Sequence, residues 1–334
     1  MEQRRISLKD LARQLNVSIA TVSRALRGSH EVSDELKKRV VALAKEMNYR
    51  PNPFAQSLRS KSHHVIGVIV PNMVTHYYAS VLDGIEDYAR RHGYFVFSAN
   101  THESYENELV AVDNLVSMHV DGIVACLSQE TTDYSHFQHL YDMNIPTVFF
   151  ARTCLPELFS SVVANGDIAA FDATNKLIER GCRRIAFIGG PNHLDMVRRR
   201  KHGYLEALKD HRIGIDRSLV VCGKIDFDEA RESTLKLLES ENRPDGILAF
   251  NDIITYAAFD AIKTKHLHIP EDVAIIGFTD GDTAAFVTPR LSAIMDQSFK
   301  QGEKACELLL KNMNGDKKIY KEIVPMILKI RESS

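Results

Sequence analysis

The 334-residue sequence predicts an α/β protein in which an N-terminal all-α helix-turn-helix head precedes two similar lobes of alternating strands and helices. Three observations predict it. Two short helical patterns joined by Asn16-Val17-Ser18 stand near the start, and apolar strand motifs recur at offsets of 120 and 124 residues. Charge is also divided: residues 1–61 hold 13 Lys and Arg against 6 Asp and Glu, a net of +7, and residues 62–334 hold the remaining 29 against 38, a net of −9.

The first helix is expected over 6–15. Ser7 followed by Asp10 is a capping signature, and Leu8, Leu11, Ala12 and Leu15 recur at helical spacing to make one apolar face. A second helix starts at Ser18, with Val22, Ala25 and Leu26 turned inward, which leaves Ile19, Ala20, Ser23 and Arg24 on the outer face. Two helices joined by so short a turn can present the second to a DNA major groove. The third helix, 34–49, has Ser33 as its cap, Asp34 and Glu35 in its first turn, and a stripe of Val40, Leu43, Ala44 and Met47. A generic three-helix bundle would show the same periodicity. The basic head on an acidic body argues instead for a head that meets phosphate, with the body repelled from it.

The body reads as a duplication. VIGVIVPN (65–72) recurs as IAFIGGPN (185–192), DGIVA (121–125) as DGILA (245–249), and the helical stretch 81–94 corresponds to 200–211. Strands that alternate with helices in this way predict parallel sheets covered on both faces, and ligands in such folds sit beyond the carboxyl ends of the strands. The expected fold is therefore two Rossmann-like lobes facing each other across a cleft.

Several function classes find no support. The sequence contains no GxGxxG opening a helix, no GxxxxGK[ST], no GxSxG and no HExxH. Gly189-Gly190 is more simply a tight strand-to-helix turn than a phosphate loop. Neither catalytic residues nor a cofactor site are expected. The five cysteines (126, 154, 182, 222 and 306) form no CxxC pair, the 14 histidines show no metal-ligand spacing, and His136 with His139 reads as a solvated helix face, so no metal is expected. No apolar run suits a signal segment or a membrane span, so a cytoplasmic protein without a membrane partner is expected.

The linker RPNPFAQSLRSK (50–61) carries its own signal. Asn52 suits a helix cap and Pro53 the first helical position, and the two turns that follow are too short to be stable alone in water. A flexible linker and a helix that forms only on a partner both fit.

Taken together, LKDLARQLNVSIATVSRAL, then NYRPNPFAQSLRSK, then paired lobes holding GGPN, RRRKHGYLEAL, FND and IIGF resemble the LacI/GalR family of bacterial transcription regulators over essentially the whole chain. The resemblance implies a helix-turn-helix domain at 1–50, a hinge helix at 51–62, and a periplasmic-binding-protein-like body at 63–334 that binds effector and dimerises. Its first lobe would take about 63–163 plus 292–324, and its second about 164–291 plus 325–334. It implies a homodimeric repressor on a palindromic operator, controlled by a small carbohydrate-type effector between the lobes.

By the same resemblance, Ser7, Leu8, Ser18, Thr21, Ser23 and Tyr49 fall at DNA-contacting positions, Arg24 falls where the family reads a guanine, and Ile19 with Ala20 occupy the pair that varies with operator choice. Asn52, Ala55 and Leu58 fall on the hinge, with Leu58 at the wedge into the minor groove or at a hinge–hinge contact. The implied effector set is Tyr77, Tyr78, Asn100, Arg152, Arg200, Asn251 and Thr279, together with Ile225, which replaces a common aromatic stacker, and Phe227 two residues on. Two departures stand out: Ala151 and Thr279 stand where many sugar-binding members carry Asp. With Arg152 and Arg200 retained, an anionic sugar derivative, such as a sugar acid or sugar phosphate, suits this cleft better than a neutral hexose. Arg152 could equally hold a lobe–lobe ion pair. A solute-binding protein without a transcriptional role is the alternative function, and it leaves the basic helix-turn-helix unexplained.

Overall fold

The computed structural model describes residues 6–26, 28–47, 49, 63–279 and 281–334. It divides into two compact units, Met1–His63 and His64–Ser334. The expected hinge residues Asn52, Ala55 and Leu58 lie outside the described residues.

In the first unit, helix α1 (Leu8–Leu15) is fixed at its start by Asp10, whose carboxylate accepts from the Ser7 amide at 2.9 Å and the Ser7 hydroxyl at 2.6 Å. It stops at Asn16, which adopts the left-handed conformation at φ 52°. Ser18 then caps α2 (Ile19–Leu26) by accepting from the Thr21 amide at 3.0 Å. Helix α3 (Asp34–Glu46) is capped by Ser33 and ends three residues before the expected 49, where the Tyr49 amide turns back to the Ala44 carbonyl at 2.8 Å. Leu11, Ala12, Val22, Ala25, Val32, Val40 and Ala44 make the small core between the three helices.

The second unit holds two six-stranded sheets of the same order. In the first, β1 (Val65–Val70) lies between β2 (Phe95–Asn100) and β3 (Gly122–Ala125), followed by β4 (Thr147–Phe150), β5 (Ser160–Ala164) and a late strand, β11 (Lys321–Val324). In the second, β6 (Ile185–Gly189) lies between β7 (Val220–Cys222) and β8 (Gly246–Ala249), followed by β9 (Ala274–Phe278), β10 (Ser292–Met295) and β12 (Ile327–Lys329). All pairs are parallel except β10 with β12. The helices that cover the faces are α4 (His76–Arg91), α5 (Tyr105–Ser117), α6 (Ser135–Asp142), α7 (Gly166–Arg180), α8 (Asp195–Asp210), α9 (Phe227–Glu239), α10 (Asp252–Thr264), the short α11 (Thr283–Phe286) and α12 (Ser298–Met313). Buried strands and the helices on each face form two clusters per lobe.

One lobe boundary differs from expectation. The sequence pattern returns the chain to the first lobe at about 292, yet Ser292–Met295 pairs with β9 and β12 and stays in the second sheet. The crossing falls at Asp296-Gln297, because the β10 register with β9 satisfies backbone groups that would otherwise be buried unpaired. The helix pairs α4–α12 and α7–α8 pack at very close range. A Cβ on Gly302 would lie 2.0 Å from the Val81 carbonyl oxygen, and one on Gly203 would lie 2.0 Å from that of Asp167. The Gly189-Gly190 pair has a packing cause of its own: a Cβ on Gly189 would strike the Phe187 ring, and one on Gly190 the Ile225 side chain.

Candidate functional site: the interlobe cleft and the head

The cleft lies where the carboxyl ends of both sheets face each other. From the first lobe come Asn72 after β1, Glu103 after β2, Arg152 after β4, and Thr75, Tyr77 and Tyr78 at the start of α4. From the second come Met196 and Arg200 on α8, Ile225 after β7, Phe250 and Asn251 after β8, and Phe278 at the end of β9. The cavity has a volume of about 50 Å³. That is room for a few waters, so a ligand the size of a sugar must part the lobes or displace side chains.

Its two arginines are held differently. Arg152 is buried and forms a fork with Glu103: Nη1 donates to Oε2 at 2.6 Å, Nη2 donates to Oε1 at 3.0 Å, and Nη1 also donates to the Leu127 carbonyl at 3.1 Å. Burial opposes this cation, but the carboxylate and the Tyr78 hydroxyl beside it outweigh burial and hold its pKa above the usual arginine value. The ion pair lies within the first lobe and does not join the two.

Arg200 is equally buried and less well paired. Its Nη2 reaches Asp296 Oδ2 at 3.4 Å, its Nη1 donates to the Phe250 carbonyl at 2.5 Å, and its Nε has no partner. The guanidinium carbon lies 3.8 Å from the Phe278 ring centroid and 4.9 Å from that of Phe250. Burial pulls its pKa below the usual value, with Asp296 pulling back, and an arginine so placed remains a cation. Burial pulls both groups down, and the net shifts differ in sign because the charged and polar partners outweigh burial at Arg152 and do not at Arg200.

Two helix N-termini border the cavity, the second carrying the Asp252 carboxylate in its first turn. Thr75 precedes α4, and its buried hydroxyl has no partner. Asn251 precedes α10 and spends Oδ1 on the Ile254 amide at 3.0 Å. Dipoles and unpaired donors of this kind favour an acceptor-rich or anionic group. Tyr77 donates its hydroxyl to Gln301 at 2.8 Å, and its ring meets Tyr78 edge-on at 5.0 Å.

Three expected effector residues are not brought to this cavity. Asn100 turns its Oδ1 to the His102 amide at 3.2 Å and so caps its own loop. Phe227 starts α9 on the outside, 41% exposed, against a neighbouring surface depression. Thr279 turns its hydroxyl to that of Tyr256 at 3.3 Å. Ala151 packs beside the smaller space behind Arg200. Glu103, Asp296, Phe250 and Phe278 escaped the sequence reading, although Phe250 adjoins Asn251 and Glu103 stands three residues beyond Asn100. His136 also departs from expectation. Its side chain is only 8% exposed, and its Nε2 lies 2.9 Å from the fully buried Glu108. Glu108 and Tyr105 of α5 cover His136, while His139 is exposed as expected.

In the head, Ser18, Ile19, Ala20 and Arg24 are exposed along α2, Thr21 and Ser23 are half-buried, and Ser7 is exposed at the start of α1. Leu8 and Tyr49 lean on the head core. Arg24 Nε lies 3.0 Å from Glu31, with both side chains about half exposed, a pair that water screens and a ligand can break.

Residues 7–52 match the family "Bacterial regulatory proteins, lacI family", and residues 174–334 match the "Periplasmic binding protein-like domain". The chain is 31% identical to catabolite control protein A of Priestia megaterium over 92% of this chain and 93% of that one. It is 31% identical to the transcriptional repressor CytR of Escherichia coli K12, over 92% and 90%. A solved complex of the transcriptional regulator CelR with cellobiose superimposes with a TM-score of 0.76 at 26% identity, covering 99% of this chain and 100% of that one. The chain belongs to the LacI family of bacterial regulatory proteins, DNA-binding transcriptional repressors that join a helix-turn-helix head to a periplasmic-binding-protein-like body.

Proposed function

We propose that this repressor reads a pseudo-palindromic operator as a homodimer and is controlled by a small polyhydroxylated effector whose carboxylate or phosphate docks on Arg200. The observation that carries the effector class is the under-paired Arg200 cation between two aromatic faces, with the N-termini of α4 and α10 beside it. Arg152 already holds a carboxylate in a fork through both terminal nitrogens, so the anion-docking role falls on Arg200. Aromatic and apolar walls from Tyr77, Phe250 and Ile225 suit the face of a sugar ring. The cellobiose in the similar CelR complex supports a carbohydrate in this fold.

In the head, Ile19, Ala20 and Arg24 are the residues we assign to base reading, and Ser7, Ser18, Thr21 and Ser23 to the phosphate backbone and groove edges. We assign no catalytic role to any residue; the thiols of Cys126 and Cys306 are buried and pushed up to about 12, which suits packing rather than nucleophilic work. We assign the protein to the cytoplasm, as a repressor that acts on DNA. Calorimetry with matched pairs, a neutral sugar against its acid or its phosphate, tests the effector class. Tighter binding of the charged member supports it, and tighter binding of the neutral member overturns it.

A further inference from the structure

The loop after β3 carries Gln129, which reaches the second lobe twice. The Ile225 amide donates to Gln129 Oε1 at 2.9 Å, and His193 Nε2 lies 2.7 Å from the Gln129 carbonyl oxygen. A carbonyl only accepts, so Nε2 carries the proton. These two bonds join a loop of the first lobe to two loops of the second.

What positions Gln129 is Glu103. Its Oε2 accepts from the Gln129 amide at 2.7 Å and from Arg152 Nη1 at 2.6 Å, so one carboxylate oxygen serves both. Arg152 Nη1 also donates to the Leu127 carbonyl, so the arginine grips the same loop two residues earlier. Glu108 anchors the flanking residues independently, accepting from the Ser128 amide at 2.6 Å and the Thr131 hydroxyl at 2.9 Å. The Gln129 amide is thus the point on the loop that Glu103 sets. Backbone strain marks the same place. Glu103 and Ala151, the latter next to Arg152, both hold left-handed conformations, at φ 61° and 55°. Neither residue adopts these without a surrounding structure that imposes them.

We propose that Glu103 is a positioning residue that couples the Arg152 guanidinium to the Gln129 fastening between the lobes. On the reading that the cleft takes the effector, a ligand that turns the Glu103 carboxylate, and Arg152 with it, also frees the Gln129 amide and loosens the cleft.

Hydrogen exchange on the ligand-free, full-length protein tests this, read on peptides covering 223–226 and, as a fold control, 122–125. Gln129→Ala should speed exchange at Ile225 by about fivefold or more, the worth of one neutral hydrogen bond. Glu103→Ala should do the same and leave 122–125 unchanged. Glu103→Gln keeps an acceptor for the Gln129 amide but drops the charge that grips Arg152, so it should fall between wild type and Glu103→Ala. If Glu103→Ala also loosens 122–125, the fold has suffered and Glu103→Gln carries the test. Wild-type exchange at Ile225 in Glu103→Gln would overturn the coupling, and wild-type exchange in Gln129→Ala would overturn the fastening itself. No ligand enters the measurement, so a cleft that binds no sugar derivative fails separately, by calorimetry.

Discussion

Arg200 and Asp296 meet through a single contact of 3.4 Å although both are nearly excluded from water. A buried cation so weakly paired carries a desolvation penalty that its carboxylate offsets only in part. The remaining stabilisation comes from the Phe250 carbonyl and the faces of Phe250 and Phe278. Such a site gains more from an incoming acceptor than one already saturated.

The first prediction follows from that contact. Arg200→Ala should abolish the effector response in a gel-shift titration while leaving operator binding in place, because the head has its own core. Arg200→Lys should fail to restore the response, since an ammonium cannot lie flat between two rings and donate in a fork. Full response in Arg200→Lys would show that only a point charge is needed.

Arg24 supplies the second prediction. Arg24→Ala should cost roughly 1–3 kcal/mol of specific operator affinity and leave weak non-specific binding, if the side chain grips guanine. Lys37 is tied to Asp34 at 2.9 Å on α3, and Lys37→Ala should weaken all sequences alike or not at all. Glu31→Gln releases Arg24 from its partner and removes a negative charge from the head, so it should tighten binding slightly. Fluorescence anisotropy at two salt concentrations, with specific and scrambled duplexes, separates these outcomes. Equal behaviour of Arg24→Ala and Lys37→Ala would argue against α2 as the reading helix.

Much of this was legible because it is local or repeated. Ser7 with Asp10 announces α1, and the 120-residue echo of VIGVIVPN announces β6, since capping and strand periodicity are written within a few residues. The Glu103–Arg152 fork spans 49 residues and His136–Glu108 spans 28, and neither spacing has a periodic signature. Pairing across strand ends is decided by which loops the sheet order brings together. For the same reason Phe227 could be numbered into the effector set by resemblance while α9 turns it outward. Asp296 was invisible because it sits on a crossing segment between β10 and α12, where neither period applies.

The third prediction concerns the linker, which lies outside the described residues and rests on sequence. The operator should be a pseudo-palindrome with a central C·G step, because an apolar wedge such as Leu58 needs a deformable pyrimidine–purine centre. Leu58→Ala should cut operator affinity without changing effector binding. Selection from a random DNA pool checks the first part, and paired calorimetry and gel shift check the second. Enrichment of direct repeats would refute the symmetric reading.

The fourth prediction tests the helix pairs that support the cleft. Gly302 on α12 and Gly84 on α4 let two backbones approach so closely that a methyl on either would meet a carbonyl oxygen, at 2.0 Å from Val81 and 2.1 Å from Phe299. Gly203 on α8 plays the same part against Asp167 on α7. A backbone carbonyl in a packed helix cannot rotate away, so the helices themselves must separate. Overpacking of this kind costs about 1–3 kcal/mol, and more where backbone must move. Gly302→Ala should therefore destabilise the body and loosen the α4 face that carries Thr75 and Tyr77, weakening effector binding along with stability. Gly203→Ala should do the same through α8, which carries Arg200. Gly315→Ala is a contrasting case: a Cβ there meets nothing within 4 Å, but the residue holds φ 95°, so its cost is backbone strain alone and should leave the cleft untouched. Urea denaturation of the three variants gives the stability ranking, and effector calorimetry on the same samples shows whether the two helix-packing glycines, and not Gly315, reach the site. Equal effector affinity in all three would mean that the helix pairs stabilise the lobes without shaping the cleft.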